Sequence, residues 1–313
     1  MTNVQNDSTD TPSARQRLII ACALGIAVFV ATAFSLHDNE SDFRFWHLGA
    51  QLLLQGIDPY PLRESSPLWP FADPLFYPLP TLLVAAPLAW MPVEIAGGTV
   101  LGLSSAGLAW LLSCQGWHRL WFFASPGFVM AVEVGQWTPT ICLAVLVPWL
   151  GALLVVKPNL GGPLFLWRPT WKAAAGGLLL LLVAFAIMPH WPIAWWRNLQ
   201  LLESHPAPLF TWQGAWLWLA IIRWRSADAR LLLISAAAPQ LLFFADQLPL
   251  ALLSRTRREV VATTGCGMVS WLAWYAGLQG GDLYVVRAAP FVLAGVYLPA
   301  LVMVLRREAS SDG

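Results

Sequence analysis

The sequence predicts an all-α polytopic membrane protein of about eight to ten transmembrane helices, and three observations carry that expectation. Of the 313 residues 58% are hydrophobic and 11% charged, and the mean hydropathy is +0.60, a composition outside the range of soluble globular domains. Apolar runs of about 19 residues, enough to cross about 30 Å of hydrocarbon, recur along the chain. Finally, Arg15/Arg17, Arg223/Arg225/Arg230 and Arg306/Arg307 fall on one side under a single threading scheme, as the positive-inside rule requires. The net charge of +1, with no basic patch interleaved with aromatics, gives no support for nucleic acid as a partner.

Residues 1–17 read as a disordered cytoplasmic tail, 18–305 as one transmembrane domain and 306–313 as a second cytoplasmic tail. The first span runs from Leu18 to Leu36 and lacks a small-residue cleavage site, so it reads as a retained span. Loop 37–77 is then extracytoplasmic. Tyr77-Pro78-Leu79-Pro80 opens a short span ending near Met91-Pro92, and a third runs from Ile95 to Trp117. Leu120 to Val134 is too short to cross and is split at Pro126-Gly127, which implies a broken segment beside a cavity near Gly135-Gln136.

Thr138 to Val156 has the length of one crossing, with Lys157 then on the face opposite the loop; a break at Pro148 would instead fold it back. Spans Ala173 to Met188 and Leu209 to Ile222 follow. Leu231 to Leu253 lies between two arginine clusters and reads as a hairpin of half-helices broken at Pro239. Val260 to Leu278 and Val285 to Leu305 complete the fold. Cys22, Cys114, Cys142 and Cys266 lack metal or disulfide spacing and read as core residues, and the 19 tryptophans as interfacial anchors.

The segment from Asp38 to Pro80 holds eight acidic residues and arginines in a chain otherwise poor in charge, the composition of a ligand-holding loop. Arg44, His47, Gln51 and Gln55 recur at helical spacing opposite Phe43, Trp46, Ala50, Leu53 and Leu54. This predicts an amphipathic helix over 43–55 lying along the membrane surface, with its polar stripe facing a cavity shared with Tyr77 and Gln136. Ser41 and Asp42 stand at its N-cap and first turn, and Gly56 at C′. Asp58-Pro59-Tyr60-Pro61 then turns, with Asp58 suited to cap the turn through its side chain.

The series SDFRFWHLGAQLLLQGIDPY, FYPLP, VEVGQWTP and VVKPN resembles glycosyltransferase family 87, polyprenol-phosphate-dependent mannosyltransferases of the GT-C membrane fold, over about residues 18–190. It departs from that family at Leu79, which separates the two prolines, at Thr138-Pro139, where the family carries Asn, and in the short interval between Gln136 and Lys157. The resemblance implies a GT-C-like bundle in a bacterial plasma membrane. It also implies transfer of a mannose-like sugar from a polyprenyl-phosphate donor to a lipid or glycan acceptor at the extracytoplasmic face. No D-x-D or other acidic cluster calls for a metal, so neither a metal nor another cofactor is expected.

A hydroxyl acceptor needs a general base, and Asp42, at the family's acidic position, is the first candidate, with Asp38 the second. The same Asp42 could instead only cap its helix. The anionic leaving phosphate needs a cation, for which Arg44 and Arg63 offer bidentate guanidinium groups that could equally meet lipid headgroups. Tyr60 and Tyr77 suit a sugar face or an aromatic belt, and His47, Gln136 and Lys157 complete the substrate-binding set. A different class of function is a non-catalytic carrier or assembly subunit, in which Asp42 would point to bulk water rather than to a cavity with cationic neighbours.

Overall fold

A computed structural model describes residues 11–38, 41–201, 207–277 and 286–307, with the side chains of Asp38 and Val286 also outside it, and among the described residues every regular element is helical. The α-helices of seven residues or more are α1 (Ala14–Asp38), α2 (Asp42–Leu54), α3 (Leu79–Ala85), α4 (Val93–Ser113), α5 (Pro126–Glu133), α6 (Thr138–Leu146), α7 (Pro158–Trp167), α8 (Trp171–Ile187), α9 (Trp191–Leu199), α10 (Ala227–Ala237), α11 (Arg257–Ala276) and α12 (Ala289–Arg306). Short 3₁₀ segments connect several of them, and α12 carries a π turn over Leu293–Tyr297.

Three helices, α1, α4 and α12, are long and apolar enough to cross a bilayer, and α8 with α9 makes a fourth candidate bent by 98°. The sequence expectation of eight to ten crossings therefore gives way to fewer long spans among the described residues. The reason is proline. Pro126, Pro148, Pro158 and Pro239 interrupt apolar runs that are long in composition but cannot continue as one helix.

Two of these interruptions are hairpins. Val147, pushed out of the helical region by Pro148 (φ −117°, ψ 97°), ends α6, and the chain returns as a 3₁₀ segment over Pro148–Val156 packed on α6 and α8. Lys157 is thereby carried back to Gln136, with Nζ 2.8 Å from its Oε1. The straight crossing expected for Thr138 to Val156 is thus replaced by the folded-back alternative. The second hairpin leaves α10 through extended Ala238-Pro239, turns at Phe244–Gln247 and comes back to Arg255, whose Nη2 lies 2.8 Å from Asp228 Oδ2 near the start of α10. The break expected at Pro239 is present.

α1 runs antiparallel to α4, with Arg17 donating to the Trp110 carbonyl at one end of the bundle and Arg44 capping the Leu36 carbonyl at the other. At the Arg17 end Asp228, 2% exposed, accepts from Arg307, Arg255 and the Trp167 indole, and Arg307 also reaches the Leu253 carbonyl at 2.6 Å and Glu259 at 3.1 Å. Glu259 and Thr256 form a capping box that starts α11. One carboxylate therefore ties α7, α10, α11 and α12 together.

Of the cysteines only Cys142 is buried, while Cys22 on α1, Cys114 just past α4 and Cys266 on α11 are exposed, and Trp46, Trp69 and Trp137 are core residues rather than interfacial anchors. Removing one partner of a buried ion pair costs about 3–5 kcal/mol, whereas exposed pairs contribute about 0–1 kcal/mol. Asp228→Asn should therefore lower the apparent melting temperature in detergent strongly. Arg255→Gln, whose side chain is 66% exposed, should lower it little.

Candidate functional site

Asp42 is the first residue of α2, behind Ser41, whose extended backbone (φ −105°, ψ 154°) starts the helix without a side-chain cap bond. Asp42 is half-buried. Among its neighbours the Tyr77 hydroxyl interacts with it as a hydrogen-bond donor, and Lys157, Asp246 and Asp73 are the charges near enough to act on it. Desolvation pushes its pKa above the ordinary carboxylate value, as do the negative charges of Asp246 and Asp73, while Lys157 and Tyr77 oppose the rise. Burial, and then the neighbouring Asp42 charge, hold the Tyr77 phenol well above its usual range, so it remains a donor.

Lys157 is the cation of the site. Its Nζ lies 2.6 Å from Asp246 Oδ1 and 2.8 Å from Gln136 Oε1, with both charged side chains only 12% exposed. Gln136 is set by Gly135, whose φ of +66° suits glycine and whose missing Cβ would stand 2.8 Å from Phe43 Cβ. Trp137 then packs on Trp46 of α2 at 4.5 Å between ring centroids. The Trp46 and Trp137 indole nitrogens, Ser41 Oγ and Thr138 Oγ1 are buried with no partner among the described residues. Among the described residues no three His, Cys, Asp or Glu side chains come together to share an ion.

The polar stripe of α2 is placed otherwise than the sequence predicts. Arg44 binds the Leu36 and His37 carbonyls and pairs with Glu94 at 3.5 Å, His47 lies 3.3 Å from the Leu88 carbonyl, and Gln51 donates to Ala89 at 2.9 Å. The stripe thus faces the turn before α4 rather than a cavity shared with Tyr77 and Gln136. Burial lowers the His47 pKa, favouring neutral imidazole. Nor is α2 a bare surface helix, since Phe45 stacks on Phe71 at 4.2 Å and Trp69 covers them both.

Arg63 and Tyr60 are likewise structural here. Arg63 donates to the Tyr60 and Leu62 carbonyls and to Asn198 Oδ1 at 2.8 Å, while Asn198 Nδ2 donates to the Tyr60 and Leu75 carbonyls at 3.0 Å each. Tyr60 is 1% exposed and gives its hydroxyl to the Tyr77 carbonyl at 3.0 Å, so it cannot stack on a sugar; it fixes Tyr77. Asp58 caps its turn through the Tyr60 N–H, as expected, and also meets His190 at 2.9 Å. Asp38, the second candidate base, has its side chain outside the described residues.

The structure thus brings together Asp42, Tyr77, Gln136 and Lys157 and leaves Arg44, His47, Tyr60 and Arg63 in supporting roles. Asp246 escaped the sequence reading, although a lone carboxylate inside the apolar stretch LLFFADQLPL, next to a proline break, is the pattern of a functional intramembrane charge. A buried Lys–Asp pair recovers its desolvation only while both partners are present. Asp246→Asn alone should destabilise by about 3 kcal/mol or more, and Lys157→Met with Asp246→Leu should restore most of the loss, as read by thermal unfolding in detergent.

Compared with protein-family models, with characterised proteins and with solved structures, the chain finds no match.

Proposed function

We propose that this chain is an integral membrane glycosyltransferase that moves a mannose-like sugar from a polyprenyl-phosphate donor to a hydroxyl of a lipid or glycan acceptor at the extracytoplasmic face. The observation that carries the reading is the Asp42 carboxylate: desolvated, raised in pKa, beside a phenol donor and a buried lysine. A carrier or scaffold has no need of such a group, and a carboxylate that served only as a helix cap would bond the amides of α2. The GT-C-like bundle and an orientation with both termini cytoplasmic belong to the same proposal.

In this mechanism the acceptor O–H gives its proton to Asp42 as its oxygen attacks the anomeric carbon, and the bond from that carbon to the phosphate oxygen breaks with its electron pair on the phosphate. Lys157, held by Asp246 and Gln136, is the cation that meets the developing negative charge, in place of Arg44 and Arg63. Tyr77 holds Asp42 in place.

In reconstituted protein supplied with a radiolabelled polyprenyl-phosphate sugar, Asp42→Asn should fold and lose about 10²–10⁴ in rate, whereas loss of a cap alone would cost about 1 kcal/mol of stability and leave most activity. The base works deprotonated, so wild-type activity should rise with pH along a limb lying above the ordinary carboxylate value of 3.8. The sign for stability is opposite. A raised folded-state pKa means that the native protein binds the proton more tightly, so stability declines as pH rises from 3.8 through the folded value. Asp42→Asn should abolish that decline. If wild type transfers no sugar from any such donor, the carrier or subunit reading takes its place.

Orientation has its own test. In a background of Cys22→Ser, Cys114→Ser and Cys266→Ser, the exposed Ser65→Cys should react with an impermeant maleimide added to intact cells. Protection until the cells are lysed would invert the scheme.

A further inference from the structure

Away from Asp42, a groove of about 500 Å³ opens between α11 and α12 at the Arg307 end of the bundle. Its walls are apolar, with Ala262 of α11 opposite Ala294, Leu298 and Val302 of α12, and the last two are 46% and 37% exposed. Toward the middle of the bundle the two helices close on each other, since a Cβ on Gly295 would stand 2.3 Å from Ser270 Cβ and Ser270 donates to the Phe291 carbonyl. At the other end the Arg307–Glu259 bridge spans them at 3.1 Å. The slot between faces outward from the helix pair, as the exposure of Leu298 and Val302 shows.

Its rim is cationic. Arg258 and Arg306 both line the groove, both are exposed, and neither has a hydrogen-bond or ion-pair partner among the described residues. Arg307 and Glu259 beside them are already paired with each other, so two guanidinium charges remain at the mouth of an apolar slot. A free phosphate would use the rim and leave the walls unmatched, and a zwitterionic lipid would use the walls and leave the rim charge unmatched. The ligand that satisfies both has an acyl chain and an anionic head.

We propose that the groove between α11 and α12 binds one anionic glycerophospholipid of the adjacent leaflet, its phosphate on Arg258 and Arg306 and an acyl chain along Ala262, Leu298 and Val302. Juxtamembrane cations each contribute about 1 kcal/mol of attraction to anionic lipid, which is about five-fold in occupancy per arginine.

The test uses the full chain in lipid nanodiscs carrying trace phospholipid with a photoactivatable acyl chain, as either phosphatidylglycerol or phosphatidylcholine, followed by peptide mapping. The glycerol lipid should label residues 258–266 and 294–306 at least about five-fold more than the choline lipid, with no such preference on the lipid-exposed face of α8. Arg258→Gln with Arg306→Gln should remove the preference and leave α8 labelling unchanged. Excess unlabelled phosphatidylglycerol, but not phosphatidylcholine, should compete in wild type, a readout that needs no variant. Equal labelling by both lipids reduces the groove to part of the general lipid annulus and overturns the proposal. A preference that survives in the double variant overturns it as well. So does labelling that arises only after removal of residues 308–313, which would make the chain's own end the occupant.

Discussion

The ion pair between Lys157 and Asp246 is the constraint on which the rest of the architecture depends. α7 is ten residues, about 15 Å long, and separates the pair from the Trp167–Asp228 contact. Buried charge persists only when it is compensated. Gln136 supplies the remaining acceptor, and so three broken segments, around Gly135, Pro148 and Pro239, must reach one point. Irregular backbone at membrane depth is tolerable because these segments bury one another. The hairpin from α6 has both its ends at this point, while the hairpin from α10 arrives with its tip.

The charge-dense segment between α1 and α3 is largely a scaffold for that point. Arg44 satisfies carbonyls that the end of α1 leaves open, Arg63 and Asn198 clamp the turn after Asp58, and Trp195 donates to Phe76 from α9. The bend of 98° between α8 and α9 lays α9 across the segment, so Tyr77 is fixed from outside through Tyr60 and from inside through Asp42. A flexible charged loop could not hold a carboxylate in a desolvated position; one hydrogen-bonded to α9 and stacked on α2 can.

Local features were legible in the sequence because local chemistry sets them. The helix over 43–55 appears as Asp42–Leu54, Gly56 takes φ +76° at its C′ position, Asp58 makes its turn, and the hairpin breaks at Pro239. What the polar stripe of α2 would face was not legible, because Arg44, His47 and Gln51 would look the same aimed at a cavity or at the carbonyls of residues 36–37 and 88–89. The side on which Lys157 emerges depended on whether Pro148 bends or reverses the chain, a choice made by packing against α8. Asp246 is 89 residues from its partner, and no local pattern reports a contact at that separation.

That separation also has a consequence for biosynthesis. Lys157 leaves the ribosome 89 residues before Asp246, and for that interval the growing chain holds the lysine without the carboxylate it pairs with. The arrangement around Lys157 is therefore completed only once the second hairpin has been made. A chain that stops before Asp246 lacks that carboxylate, so truncation there removes the stability of the pair as well as that of the missing helices.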